Sequence, residues 1–474
     1  MSSYESLEAT IDLIVDAAIE SEMYLNGYEG TVGTGFEHQG PYVHVTGPNQ
    51  SGRRGYGGVA TDGFGYPVEF TPPWNIGADV YAAWDEAIRS AFEGWTELPD
   101  PGGFEALTDR CRDAASTLTD GSLATEQYGI TGGNQELGDI GTMNTELAQF
   151  NGATINAFTR NYSNRLPVIV RGQSAIAAIL WFGVAGEREI WTAARLDIAD
   201  VADKVLGAMK AARGGGGADF STALKVGGAV ASIAGKFVPG PAGTIISVAG
   251  TGAGALSALI PKPKPPKWTT LPFGGATPTD VLSKLRDGLQ KLNETISDQE
   301  SQIYDLLSSA HSTVQAEEDS FNLAAPLRLL HETNQDNLIT ADETRVKIDT
   351  LRWIGHTVMP NIAGQLDIAK GKVAGGSSSG PWTRPANIGY GSTGPFYSWS
   401  SLEGHLENLL VDTAWEVRSA GHHLVIAADD FEDTDAQAHA DLAAHSRELR
   451  DGSPAYDHDP PPPTRPMGGH MVPY

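Results

Sequence analysis

At 474 residues the chain has room for two or three domains with their own cores, and 40% hydrophobic with 19% charged residues is the make-up of a soluble globular protein. A formal net charge of −27, from 59 acids against 32 Lys and Arg, repels nucleic acid and anionic lipid on average and argues against nucleic acid as a partner. Cys111 is the only cysteine, which excludes an intramolecular disulfide and a cysteine-based zinc cluster.

The opening stretch, MSSYESLEATIDLIVDAAIESE, has no basic n-region and mixes its apolar residues with acids, so it does not read as a secretory signal peptide. Residues 4 to 25 read as an amphipathic helix. A stretch dense in Gly and aromatics follows over 26–75 and is expected to be irregular, with what strand signal the chain has lying between 30 and 72. Helix signals return at ADVYAAWDEAIRSAFEGW and GGFEALTDRCRDAASTL. From 136 onward Leu137, Ile140, Leu147, Phe150, Thr154 and Phe158 draw one stripe along a helix. RNYSNRLP is expected to break it before a second long arm over 168–212, which predicts an antiparallel helical hairpin over 136–213.

Past GGGG at 214–217 lies a small-residue apolar segment, 218–261, divided into two arms by Pro239, Gly240 and Pro241. Residues 242–260 carry no charge over nearly the length that spans a bilayer. Ser247, Gly250, Gly254 and Ala258 share one face there, a small-residue stripe that lets another backbone approach closely. Two readings stay open: a buried helical hairpin, or a segment that enters a membrane.

The clearest helix begins at Thr277, an N-cap followed by Pro278 and Asp280. Leu282, Leu289, Ile296, Ile303 and Ala310 repeat every seven residues, and Leu285, Leu292, Gln299, Leu306 and Thr313 repeat three positions later, the seam of a coiled-coil or bundle helix. A further helical stretch over 324–373 is interrupted near Gly355 and Pro360, and a last long helix is expected over 399–449. The Pro-rich tail, 451–474, reads as disordered. The fold class is therefore mainly α: an elongated helical bundle with long antiparallel hairpins behind a glycine-rich irregular N-terminal region. Its parts are 1–135, 136–213, 218–261, 277–450 and the tail.

Catalytic patterns fail on context. Gly376 to Gly380, GSSSG, matches a nucleophile elbow but sits in a low-complexity loop with no strand before it. Gly235-Lys236 lacks both the upstream glycine and the following hydroxyl of a phosphate loop, and no histidine pair has the spacing of a helical zinc site. No catalytic, cofactor or metal residue is assigned. The last helix offers something else. Leu402, Leu406, Leu409, Thr413, Val417, Ala420, Leu424, Ala428, Phe431, Asp435, Ala438 and Leu442 occupy one stripe, and Asp435 puts a carboxylate where the seam asks for an apolar group. Phe431 and Asp435, one turn apart, would give a receptor an apolar anchor and a charge-assisted hydrogen bond.

That arrangement resembles the export signal of type VII (ESX-type) secretion substrates of actinobacteria, where an aromatic, usually Tyr, precedes Asp or Glu by four residues after a helical hairpin. AADDFEDTDAQAHADL looks like the end of such substrates, with Phe in the aromatic place. Members also carry W-x-G at a hairpin turn; this chain has Trp181-Phe182-Gly183 and Trp353-Ile354-Gly355, the second near the break before Pro360. The likeness covers 278–450, most specifically 405–442. It implies a non-enzymatic helical protein that needs no cofactor, held in the cytoplasm before export and delivered to the cell surface or medium by a route without a signal peptide. The secretion machinery or a helical protein would be its partner, with Phe431, Asp435, Trp353 and Gly355 as export-signal residues. Seams too long for one intramolecular partner favour self-association. The alternative is a membrane-active or pore-forming protein that uses the Gly/Ala-rich hairpin.

Overall fold

The computed structural model describes residues 3–38, 44–45, 60–61, 64, 79–119, 134–150, 153–214, 220–226, 229, 269–325, 347–374 and 378–444, with side chains of the last helix described as far as residue 432. The expected architecture is found: a mainly α bundle. Its helices are α1 (Leu7–Leu25), α2 (Asp79–Ala91), α3 (Glu105–Thr117), α4 (Gln135–Leu147), α5 (Ala153–Phe158), α6 (Leu166–Ala212), α7 (Pro278–Ala316), α8 (Ile348–Trp353), α9 (Met359–Val373) and α10 (Phe396–Ala444). Four short strands, β1 (Tyr28–Thr31), β2 (Gly35–His38), β3 (His44–Val45) and β4 (Ala60–Thr61), form an antiparallel sheet in chain order.

The bundle is built around α6, which packs against α1, α3, α7 and α10. Residues 172–187 of α6 are buried on every side, which is why that stretch reads GQSAIAAILWFGVAGE with no charge before Glu187. Length and apolarity alone would let the helical run Ile155–Ala212 cross a membrane, but 89% of its most apolar window is covered by protein. Small residues set the packing distance. A Cβ on Gly186 would come within 2.8 Å of Ile303 on α7, and one on Gly172 within 2.7 Å of the Phe321 ring.

The hairpin expected over 136–213 does not form. Helix α4 packs against α9, while α5 runs through a π-helical turn, Thr159–Ser163, into α6. Asn164 and Arg165 keep right-handed helical backbone angles, and Pro167 falls in the first turn of α6, where a missing N–H costs nothing. Arg165 then donates to the carbonyls of Asp319, Asn322, Leu323 and Ala325 beyond the end of α7, which fixes the junction from outside.

Helix α7 begins as its sequence predicts. Thr277 Oγ1 accepts from Asp280 N at 3.2 Å, Asp280 Oδ2 accepts from Thr277 N at 3.1 Å, and Pro278 opens the helix. The seven-residue seam is kept at Leu282, Leu289, Ile296, Ile303 and Ala310, all buried, and at Leu285, Leu292 and Leu306 of the second series, while Gln299 and Thr313 are half-exposed beside the buried Glu300 and Val314. A straight α-helix drifts by roughly 20° per heptad against a 3.5-residue repeat, so the face that meets α6 must move along the sequence.

An element with no signal in the sequence is the two-stranded ribbon of β5 (Phe220–Ala223) and β6 (Thr270–Phe273), antiparallel with Phe220 opposite Phe273 and Ala223 opposite Thr270. It closes the ends of the Gly/Ala-rich segment onto α6 and α7. Asp197 of α6 reinforces it, accepting the N–H groups of Lys225 at 2.6 Å and Val226 at 2.9 Å through Oδ2. Ser247, Gly250, Gly254 and Ala258 lie outside the described residues, as does the Pro-rich tail.

Helices α9 and α10 form an antiparallel hairpin closed by the 374–395 connection. The stripe Leu402, Leu406, Leu409, Thr413, Val417, Ala420, Leu424 and Ala428 is buried as expected.

Candidate functional site

Where α8 leads into α9, the chain takes a π-helical turn over Ile354–Val358 instead of breaking at Gly355 and Pro360. The extra residue per turn brings Gly355 against α10. A Cβ there would lie 2.6 Å from the Gly421 carbonyl oxygen and 2.5 Å from a Val425 methyl, so the glycine of Trp353-Ile354-Gly355 is what allows the two backbones to meet. One turn further along α10, Arg352 donates Nε and Nη2 to Asp429 at 2.9 and 2.6 Å and also pairs with Glu432. These partners hold the guanidinium firmly in its charged form. Phe431 is partly buried against the core, and Trp353 is 40% exposed.

Of the residues singled out from the sequence, Gly355 meets α10 at Gly421 and Val425, and Phe431 lies further along the same helix. The backbone of α10 continues as helix through Asp435 to Ala444; the Asp435 side chain lies outside the described part. Trp181 and Gly183 are elsewhere, within α6: Trp181 is buried, and Gly183 admits Leu307 and Trp399.

Sequence reasoning missed a second constellation. Arg384, Glu187 and Glu300 have no exposed side-chain surface. Arg384 Nη1 stands 3.6 Å from Glu187 Oε2, Nη2 pairs with Glu300, and the guanidinium lies 5.0 Å from the centre of the Trp191 ring. Trp191 Nε1 donates to Glu187 at 3.0 Å, and Glu300 Oε2 accepts the Tyr390 N–H at 2.6 Å. The arginine also ties its own loop together through the carbonyls of Trp382 and Gly391, both at 3.1 Å. Gly389 and Gly394, at φ +72° and +50°, fold over this centre where a Cβ would overlap the Glu300 carboxylate or the Arg384 guanidinium.

Burial pushes both carboxyls upward, Glu300 furthest because Glu187 adds its own charge, and Arg384 offsets this only in part. One cation faces two enclosed carboxyls. The arrangement fastens the 382–392 loop onto α6 and α7; sealed from solvent, it cannot receive a substrate. The available signals were faint: Glu187 ends a long uncharged run, Glu300 neighbours a seam position, and Arg384 sits in a loop of Trp, Gly and Pro.

The chain was compared with known protein families, curated proteins and solved structures. It matches none of them. Among the described residues no group of three or more His, Cys, Asp or Glu side chains could hold a metal ion. An open groove of about 360 Å³ between α2 and α7 has Trp95, Leu289 and Ile388 in its wall and Arg286 beside it, with no carboxyl, imidazole or thiol in its lining.

Proposed function

We propose that this chain is a non-enzymatic helical protein exported by a type VII system, and that it acts through contacts with other proteins. The observation that supports the reading is the pairing of Arg352 with Asp429 and Glu432, which fastens the turn carrying Trp353 and Gly355 to the same helix that carries Phe431 and Asp435. A recognition element split between two helices then forms only in the folded hairpin, so the secretion machinery would bind a folded chain. The half-exposed Trp353 supplies apolar surface at the same place.

The test is export from a host with a type VII system, comparing culture fluid for the wild type, Phe431→Ala, Asp435→Ala and Trp353→Ala, with thermal melting to confirm that each variant folds. Wild type in the medium and folded variants retained in the cell support the reading. Equal export of all, or of none, removes it. A second reading, a membrane-active protein working through residues 218–261, has the β5–β6 ribbon in its favour, because it presents both ends of that segment side by side. Liposome leakage and flotation at acidic and neutral pH test it, and no association at either pH removes it.

A further inference from the structure

We propose that the outward face of α10 between Val411 and Ile426 pairs with the same face of a second copy of this chain, antiparallel, about a two-fold axis at residues 418 and 419. This inference does not depend on the export reading. Opposite the buried stripe of α10, Val411 is 39% exposed, Trp415 56% and Ile426 43%, with His422 exposed between them. Three large apolar side chains on one outward helix face, a tryptophan among them, make the kind of anchor that protein interfaces favour.

The spacing identifies the occupant. Val411 to Trp415 is the same step as His422 to Ile426, and Arg418 and Ser419 fill the centre, so the face reads alike in both directions. A reversed copy sets Val411 on Ile426 and Trp415 on His422, each contact occurring twice, as an isologous interface requires. Charge agrees with that direction. Asp412 and Glu416 lie along one edge of the face and His423 continues the same edge in the other half. Antiparallel pairing brings the same edge of both copies together and sets the acids of one against the imidazole of the other. Arg418, near the axis, is drawn aside by its ion pair with Asp367 of α9, which keeps it from facing its own copy.

One helix face is a small interface, and the net charge of −27 repels at long range, so association is expected at about 10 µM or weaker and at high ionic strength. The test uses the full chain at increasing concentration in high salt, with solution mass by light scattering and crosslinking by a short bis-maleimide. Cys111 is buried and does not compete for the reagent. The mass is expected to rise from 50.1 kDa toward twice that value, and Trp415→Glu to stay monomeric. Ser419→Cys, beside the axis, is expected to give a covalent dimer. Asn408→Cys is not, because at roughly 1.5 Å per residue its two copies stand about 30 Å apart. A mass of one chain throughout, whether another segment of this chain or a different protein covers the face, overturns the proposal. So does equal crosslinking at 408 and 419, which would mean parallel pairing, or a dimer that survives Trp415→Glu.

Discussion

Arg384 and Glu300 form an ion pair with no solvent exposure on either side chain, and Glu187 approaches the same guanidinium from the opposite helix. Removing one partner from such a centre costs far more than the pair contributes, because the remaining charge is stranded. Arg384→Met is expected to lower unfolding free energy by about 3–5 kcal/mol, measured by chemical denaturation. Glu187→Gln, which keeps the shape and leaves one cation for one carboxylate, is expected to fall within about 1 kcal/mol of wild type or above it. Both glutamates are raised above the ordinary 4.5. A carboxyl raised by folding stabilises the fold most below its unfolded value, and that contribution fades as pH climbs through the folded one. Wild type should therefore lose stability relative to Glu187→Gln as pH rises from about 4.5.

Asp197 behaves in the same direction in a defined window. Burial lifts it from 3.8 to about 6, against the two backbone N–H groups that favour its charge. Folded chain binds the proton near pH 6 and unfolded chain only near 4, so acidification between those values should strengthen the fold by about 2–3 kcal/mol. Asp197→Asn can still accept from Lys225 and Val226 and should flatten that dependence. Asp197→Ala orphans both N–H groups and should cost about 1–3 kcal/mol at any pH. Denaturant titrations at pH 4, 5, 6 and 7 separate the three proteins.

His311 of α7 and His405 of α10 meet edge to face at 5.4 Å and supply the opposite slope. Burial lowers both below 6.5, and His405 is lowered further by its neighbour. A base lowered by folding stabilises the fold above its unfolded value and loses that contribution as pH falls. His405→Gln should lose less stability than wild type between pH 7 and 5, a comparison that thermal melting in matched buffers makes directly.

Glycines divide into those that are needed and those that are spare. Gly355→Ala would drive a methyl into the Gly421 carbonyl and should destabilise by about 1–3 kcal/mol. Gly364→Ala, one helix segment later, meets nothing within 4 Å and should stabilise by about 0.5–1 kcal/mol. If both changes moved the melting temperature in the same direction, the close approach of the Ile354–Val358 turn to α10 would not be what fixes position 355.

Buried thiol chemistry gives a further check. Burial pushes Cys111 up to about 12, so a thiol reagent should label native protein slowly and unfolded protein at once.

Helices were legible where local signals suffice. The Thr277-Pro278-Asp280 start of α7 and the stripe of α10 from Leu402 to Phe431 are written in residues three and four apart, and the bundle class follows from them. Gly355 was legible as a candidate, but its contact with Gly421 and Val425 was not, because it depends on the register of the α9–α10 hairpin. Long-range features left no local trace. The β5–β6 ribbon pairs strands separated by the whole apolar segment, and the Arg384 centre joins α6, α7 and a loop, so no window of sequence contains either. The expected break at RNYSNRLP is present as the π-helical turn Thr159–Ser163 and the turn at 164–165, but the chain does not reverse there, because Pro167 falls in the first turn of α6.

Register between Ala223 and Thr270 has a topological consequence. The two ends of the intervening segment stand side by side at the mouth of the ribbon, with Leu224, Val226 and Ala229 already part of the core. A chain cut after 229 and rejoined before 269 by a short glycine-serine bridge should keep the α6–α7 contact and melt as one unit, turning the protein into a cassette in which foreign segments can be exchanged at that site.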